Sequence, residues 1–402
     1  MRAMAKLMVA WEAGGYLGHE MLVTAAALEL KHAGHDVLVC APQGVPANAA
    51  ARREGLRWDE LPGEAPPPAP STGFRWKSRA TSLWSFGFHS AHWLRGRVSA
   101  WSDLLAREAP SAVVLQAAPC AQLAARAAGV PSLEFGIGFD VPPRQSPFPP
   151  FRNPDAFTVE AGQAFERRLV EMIQQACPVG DQTLAALVSG DRRLVVSLPE
   201  LDHYAGAPDP SRLFAGPLPA VTMGGATAEW RGPGPRLLAY IRASAVEVPA
   251  FLDAAAALPG DWIVVCPDGT EAHAAQATQS SPGRIRFHRE PLSLGGLLPQ
   301  ADLVICHGGG LMAEALVHGR PCVAMPIHQE QFMATTAMTH HGLGAMLAPR
   351  APALFADVWR RVLADPGVQA NALALSARQH ALATGSGQAL VRSVQDLLRA
   401  GA

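Results

Sequence analysis

The chain is 402 residues long with a formal net charge of −1, and 49% of its residues are hydrophobic against 17% charged. That length implies two large domains, and that apolar fraction excludes a chain too polar to bury a core. Near-neutrality excludes a binder that reads a phosphate backbone. The only lysines, Lys6, Lys31 and Lys77, exclude a Schiff-base lysine in the second half.

Residues 6–11 form a short apolar run, read as a strand, that stops at Gly14-Gly15-Tyr16-Leu17-Gly18-His19. A helix is expected over 21–31, closed by Gly34, and a second strand over 37–40. Strand, tight turn, helix and strand make a βαβ unit, and strands apolar throughout imply a parallel sheet covered on both faces. A strand at 112–115 and a helix at 121–128 repeat the unit. Residues 62–70 are too rich in proline for regular structure, and 139–154 interleave prolines with aromatics, as an ordered loop over a cleft would. Trp84, Phe88 and Phe139 are candidates to line a pocket for an apolar acceptor, with core packing the alternative.

Residues 213–235 are dense in Gly and Pro and read as a linker. Strands follow at 237–241, 262–266, 285–288 and 303–306, with helices at 249–257 and 292–298 and a final helix near 386–399. The expected architecture is α/β, two Rossmann-like doubly wound domains at 1–212 and 236–385, with the helix at 386–402 packed back on the first. The apolar start is broken at Glu12, too early for a signal-peptide core, and no run reaches the roughly 18 apolar residues of a membrane span. The six cysteines form no CxxC pair and sit in apolar runs, so reduced thiols in a soluble, cytoplasmic protein are expected.

The densest chemical signal is His307-Gly308-Gly309-Gly310-Leu311-Met312-Ala313-Glu314, then Gly319-Arg320-Pro321, Met325-Pro326 and Glu330-Gln331. It falls where a strand gives way to a helix. Glycines at a helix start leave N–H groups bare, and the positive end of the helix dipole makes them an anion cradle. His307 is placed to donate to a phosphate oxygen and Glu314 to accept from ribose hydroxyls. Glu330 and Gln331 follow the next strand, at the carboxyl edge where open α/β sheets bind ligands. His19 leaves the first strand at the equivalent edge of the first sheet, and an imidazole titrating near neutrality suits a general base.

This combination resembles the nucleotide-sugar signature of the UDP-glycosyltransferase superfamily, the family 1 glycosyltransferases of GT-B fold, especially bacterial members acting on natural products and lipids. Gly18-His19 and Gly216-Pro217 are similar to further elements of that family. The resemblance implies two Rossmann-like domains facing each other across a cleft that closes to exclude water. It implies an inverting, metal-independent transfer from a UDP- or TDP-sugar to a small acceptor, with His19 as base and Gln116 beside it. The implied donor set is His307, Gly308, Gly309, Gly310, Glu314, Glu330, Gln331, Arg289 and Ser244. No cofactor, metal, nucleic acid or membrane span is expected; the chain is expected as a monomer or homodimer.

The sequence also departs from that pattern. Gln116 stands where the family has an Asp beside the catalytic His, and Glu12, Glu20, Glu134 and Asp140 are the acids open to replace it. Leu311 and Met312 stand where a hydroxyl to the phosphate is usual, and Arg289 where a Trp stacks on the base. GxxxxGK[ST], Asp-x-Asp and Gly-x-Ser-x-Gly do not occur, which sets aside Walker-type, metal-chelating and nucleophile-elbow chemistry. The rival expectations are a nucleotide-sugar-binding auxiliary protein without turnover and a GT-B nucleotide-sugar epimerase.

Overall fold

The computed structural model describes residues 4–14, 17–61, 64–70, 77–151, 157–177, 179–180, 182–218 and 226–400. Gly15 and Tyr16 of the first glycine turn, and residues 62–63, 152–156 and 219–225 of the expected loops and linker, lie outside them. The chain divides into two compact units. One takes Met1–Ser197, Tyr204–Pro219 and Gly385–Ala402; the other takes Leu198–His203 and Ala220–Thr384.

The first unit is built on seven strands: β1 (Lys6–Trp11), β2 (Asp36–Pro42), β3 (Arg57–Leu61), β4 (Ala112–Gln116), β5 (Ser132–Gly136), β6 (Arg192–Val195) and β7 (Arg212–Phe214). They lie in the order β3-β2-β1-β4-β5-β6-β7, all parallel. Every residue of β4 and β5 is buried, as strands covered by helices on both faces must be. The order reverses between β1 and β4, so the open crevice of this sheet lies at their C-terminal ends, where Trp11 is paired with Gln116. The helix Ser386–Ala400 packs on the helix Leu17–His32, and Gly387 gives it room: a Cβ there would meet Glu29.

The second unit carries β8 (Arg236–Tyr240), β9 (Asp261–Val265), β10 (Ile285–His288), β11 (Leu303–Cys306), β12 (Cys322–Ala324) and β13 (Gly344–Met346). Their order is β10-β9-β8-β11-β12-β13, again parallel, with the reversal between β8 and β11. Among the described residues no helix is long and apolar enough to cross a membrane.

Several sequence expectations change. The expected first-domain boundary is interrupted, because Leu198 and Leu201 are buried against Leu238, Ile263 and Leu298 of the second unit. The expected linker begins as strand β7, and its later part is fastened to the second unit by Arg231 and Gly232 N–H groups donating to Asp261 at 2.6 and 3.0 Å. No helix forms over 292–298. Gly295 and Gly296 make a helix costly there, and the chain instead turns into the short 3-10 segment Leu298–Gln300. The aromatic stretch folds as a π-turn over Trp84–Phe88 feeding the long helix Ala91–Glu108. Gly87 makes that turn possible, with φ of +107° and the Trp93 ring 2.6 Å from where a Cβ would sit.

Candidate active site

In the first unit His19 lies in the opening turn of the helix Leu17–His32, not in the turn ahead of it. Its ring stacks on Trp11 at the end of β1, with centroids 6.0 Å apart and planes 17° apart. Gln116 at the end of β4 faces its Nδ1, with Oε1 at 3.1 Å and Nε2 at 2.9 Å. Nε2 of Gln116 in turn donates to Asp140 Oδ2 at 3.1 Å. Among the described residues, Nε2 of the His19 ring has no hydrogen-bond partner, so one nitrogen is held and the other is not. Gly14 makes the space: a Cβ there would collide with the ring, 2.5 Å from Cδ2, and its φ of +87° suits glycine.

Three of the four acids left open beside His19 sort themselves. Glu12 is turned away: its Oε1 accepts from Trp101 at 2.6 Å, and its Oε2 accepts the Cys120 and Ala121 N–H groups that open the helix Pro119–Ala127. Burial pushes its carboxyl up, against the opposing pull of Arg97. Glu134 is paired with Arg193 at 2.9 Å. Asp140 reaches Gln116 and through it the histidine.

The expected acceptor lining is largely core. Phe88 is 0% exposed and packs among Trp93, Leu94 and Trp101, so it presents no surface to a ligand. Trp84 is buried against Phe165 and beneath the Arg168 guanidinium, 4.7 Å from its ring. Phe139 is buried against Phe151 at 5.0 Å, one residue before Asp140.

In the second unit the glycine run sits at the reversal between β8 and β11. Gly308 and Gly309 have φ of +107° and +67°, which lets the chain leave β11 and enter the helix Gly310–Val317 at once. The first bond of that helix runs from Ala313 N–H to the Gly309 carbonyl at 3.3 Å, so the N–H groups of Gly310, Leu311 and Met312 precede it. Met312 is buried and supplies no hydroxyl to this turn.

His307 differs from its sequence expectation. Its Nδ1 donates to the Met325 carbonyl at 2.7 Å and its Nε2 accepts the Arg242 N–H at 3.0 Å. Both nitrogens are spent on backbone, which fixes a neutral ring with no proton for a phosphate. Burial pushes its pKa down, outweighing the Met325 carbonyl. The residue is a strut that ties the chain after β8 to the chain after β12. Beside it, burial opposes the ionisation of Asp268, yet the N–H groups of Ala243 and Ser244, at 2.8 and 3.1 Å, hold its carboxyl below the usual value.

Glu314 is half-buried one turn into the glycine-led helix. Glu330 and Gln331 open the helix Gln329–His340. Glu330 lies 3.4 Å from Nε2 of His203, and Gln331 Oε1 accepts the Ile327 N–H at 2.9 Å. The Arg289 guanidinium is tied to the Gly269 carbonyl at 3.0 Å and to Glu271. Gly14, Asp268, Arg242 and His203 were not anticipated. Of these only Gly14, in a glycine pair after a strand, carries a signal in the sequence. Among the described residues no three His, Cys, Asp or Glu side chains converge as a metal site.

No family model and no curated protein matches the chain. Solved structures do. The glycotransferase of kitacinnamycin is 18% identical over 98% of this chain and 100% of its own, with a TM-score of 0.70. Glycosyltransferase VinC in complex with DTDP is likewise 18% identical over 98% and 99%, at 0.70. Spinosyn rhamnosyltransferase SpnG complexed with spinosyn aglycone is 22% identical over 98% and 100%, at 0.66. The chain therefore has the GT-B fold of these natural-product glycosyltransferases.

Proposed function

We propose that the chain is an inverting, metal-independent glycosyltransferase that moves a sugar from a UDP- or TDP-sugar to a hydroxyl of a small apolar or aromatic acceptor. The observation that carries this reading is His19 itself: one ring nitrogen is held by Gln116, and the other has no partner among the described residues, at the reversal point of a parallel sheet. VinC was solved with DTDP and SpnG with both thymidine diphosphate and an aglycone, which supports the same pair of substrates here.

Nε2 of His19 takes the proton of the acceptor hydroxyl as its oxygen attacks the anomeric carbon. The bond from that carbon to the diphosphate oxygen breaks with inversion. The departing diphosphate meets the N–H groups of Gly310, Leu311 and Met312, whose dipoles stabilise the charge it gains. His307 holds that turn in shape and does not donate to the ligand. Glu314 takes the ribose hydroxyls, and Glu330 with the amide nitrogen of Gln331 takes the sugar hydroxyls. Ser244, on the loop braced by Asp268, adds a polar contact to the donor. Arg289, its guanidinium edge already engaged, offers its flat face to the base. Six free cysteines, five of them buried, fit a reducing cytoplasm, and burial pushes the thiols of Cys266 and Cys306 up to about 12, far from nucleophilic use.

The test is turnover with UDP- and TDP-sugars against a panel of aromatic and macrocyclic alcohols, with EDTA present. Glycoside formation is expected. Donor isomerisation without acceptor would replace the transferase with an epimerase, and donor binding without transfer to any acceptor would leave an auxiliary protein.

A further inference from the structure

We propose that Asp140 is a positioning residue for His19, acting through the side-chain amide of Gln116; the inference rests on His19 being the base. An amide presents one accepting oxygen and one donating nitrogen, and a carboxylate only accepts. The 3.1 Å bond to Asp140 Oδ2 therefore sets which end of Gln116 is nitrogen. His19 Nδ1 is within reach of both ends, at 3.1 Å from Oε1 and 2.9 Å from Nε2, so distance admits two arrangements. In one, Oε1 accepts the Nδ1 proton and the ring Nε2 keeps its lone pair. In the other, the amide donates to Nδ1 and the ring proton sits on Nε2, where it blocks the base.

Proton transfer separates them. Once Nε2 has taken the acceptor proton, both ring nitrogens are donors, and only Oε1 can then partner Nδ1. The oxygen-facing arrangement serves the base and its conjugate acid without turning the amide. Turning it would set Oε1 against the Asp140 carboxylate, so Asp140 is the residue that opposes the turn. The dyad's carboxylate is thus moved one residue outward, with the amide carrying its orientation inward.

Asp140 is itself fixed in advance. It is buried, and its N–H donates to the Ile137 carbonyl at 2.9 Å. The next two carbonyls are clamped, Val141 by Arg212 Nε at 2.8 Å and Pro142 by Arg193. Arg193 is buried between Glu134 and Asp209, at 2.9 and 2.7 Å. Gly136 clears the other side, where a Cβ would lie 2.6 Å from that of Asp140. Preorganisation of this kind is what a site needs when an amide stands between the carboxylate and the imidazole.

The experiment is long-range proton–nitrogen correlation on the full chain labelled at histidine, recorded with His19 neutral. The wild-type ring is expected with its proton on Nδ1 and a bare Nε2; a proton on Nε2 overturns the proposal without any variant. D140N, whose amide pairs with Gln116 either way round, is expected to mix the tautomers. It should lower kcat by about tenfold or more at unchanged nucleotide affinity. The double variant Q116E/D140N sets an isosteric carboxylate directly on Nδ1 and should restore both tautomer and rate. Unchanged tautomer and rate in D140N overturn the proposal. H19A separates the two ideas: if it transfers sugar normally the base reading falls, whereas loss in H19A with none in D140N removes Asp140 alone.

Discussion

Each sheet of this molecule has a histidine at its reversal point, and the two are used in opposite ways. His307, after β11, spends both ring nitrogens on the backbone of Met325 and Arg242 and is buried. His19, after β1, spends one on Gln116 and, among the described residues, keeps the other, with a glycine in front of it. The same side chain at the same kind of place is a strut in one sheet and a candidate base in the other. The number of nitrogens that the fold consumes decides which. A histidine beside a glycine run is therefore no evidence of a ligand contact until both nitrogens are accounted for.

The comparison breaks most visibly at His19. H19A should cut sugar transfer by about two to four orders of magnitude with nucleotide affinity unchanged, measured by initial rates and calorimetry. An H19A enzyme within a fewfold of wild type would reduce His19 to a second strut. G14A should come next, because the added methyl meets the imidazole and must displace it. The expected signature is a large fall in kcat and an altered His19 resonance in a chain that still folds.

H307A sharpens the other half. It strands the Arg242 N–H and the Met325 carbonyl, and each lost bond of this kind costs about 1–3 kcal/mol. The unfolding transition of the second unit should move down, where H19A leaves it in place. The same ring makes that unit acid-sensitive. Its pKa is lowered in the fold, so the neutral ring contributes stability above the ordinary histidine value of about 6.5. That contribution is lost as pH falls below it. Urea midpoints at about pH 7.5 and 5.5 should differ more in wild type than in H307A. The smallest effect is E314A, which should weaken nucleotide binding by ~1–3 kcal/mol through unpaired ribose hydroxyls and leave stability near wild type.

Much of each sheet was legible because parallel strands buried on both faces read as unbroken apolar runs, but Ser132–Gly136 and Arg192–Val195, broken by Glu134 and two arginines, were not. Residues 285–288 and 303–306 are strands in the structure as expected. Short or polar edge strands were not: Arg57–Leu61 exposes two of its five residues, and Arg212–Phe214 hid inside an apparent linker. The helix Ala91–Glu108 was masked by its tryptophans, and Leu292–Leu298 was undone by two glycines that an apolar pattern outweighed. At the sites, the glycine run and His19 stood out because each follows an apolar strand run. Asp140 was one of four open acids, since its bond to Gln116 spans a loop whose course is set by Arg193 and Arg212. The role of His307 depended on two backbone partners, and no residue pattern announces a backbone carbonyl.

We propose a division of labour in which the second unit binds the nucleotide and the first handles the proton. Calorimetric titration of wild type, H19A and E314A with UDP and TDP tests it most directly. The account predicts micromolar binding of one nucleotide, equal in wild type and H19A and weakened in E314A. Binding of neither nucleotide by wild type, or loss of binding in H19A with E314A unaffected, would contradict it.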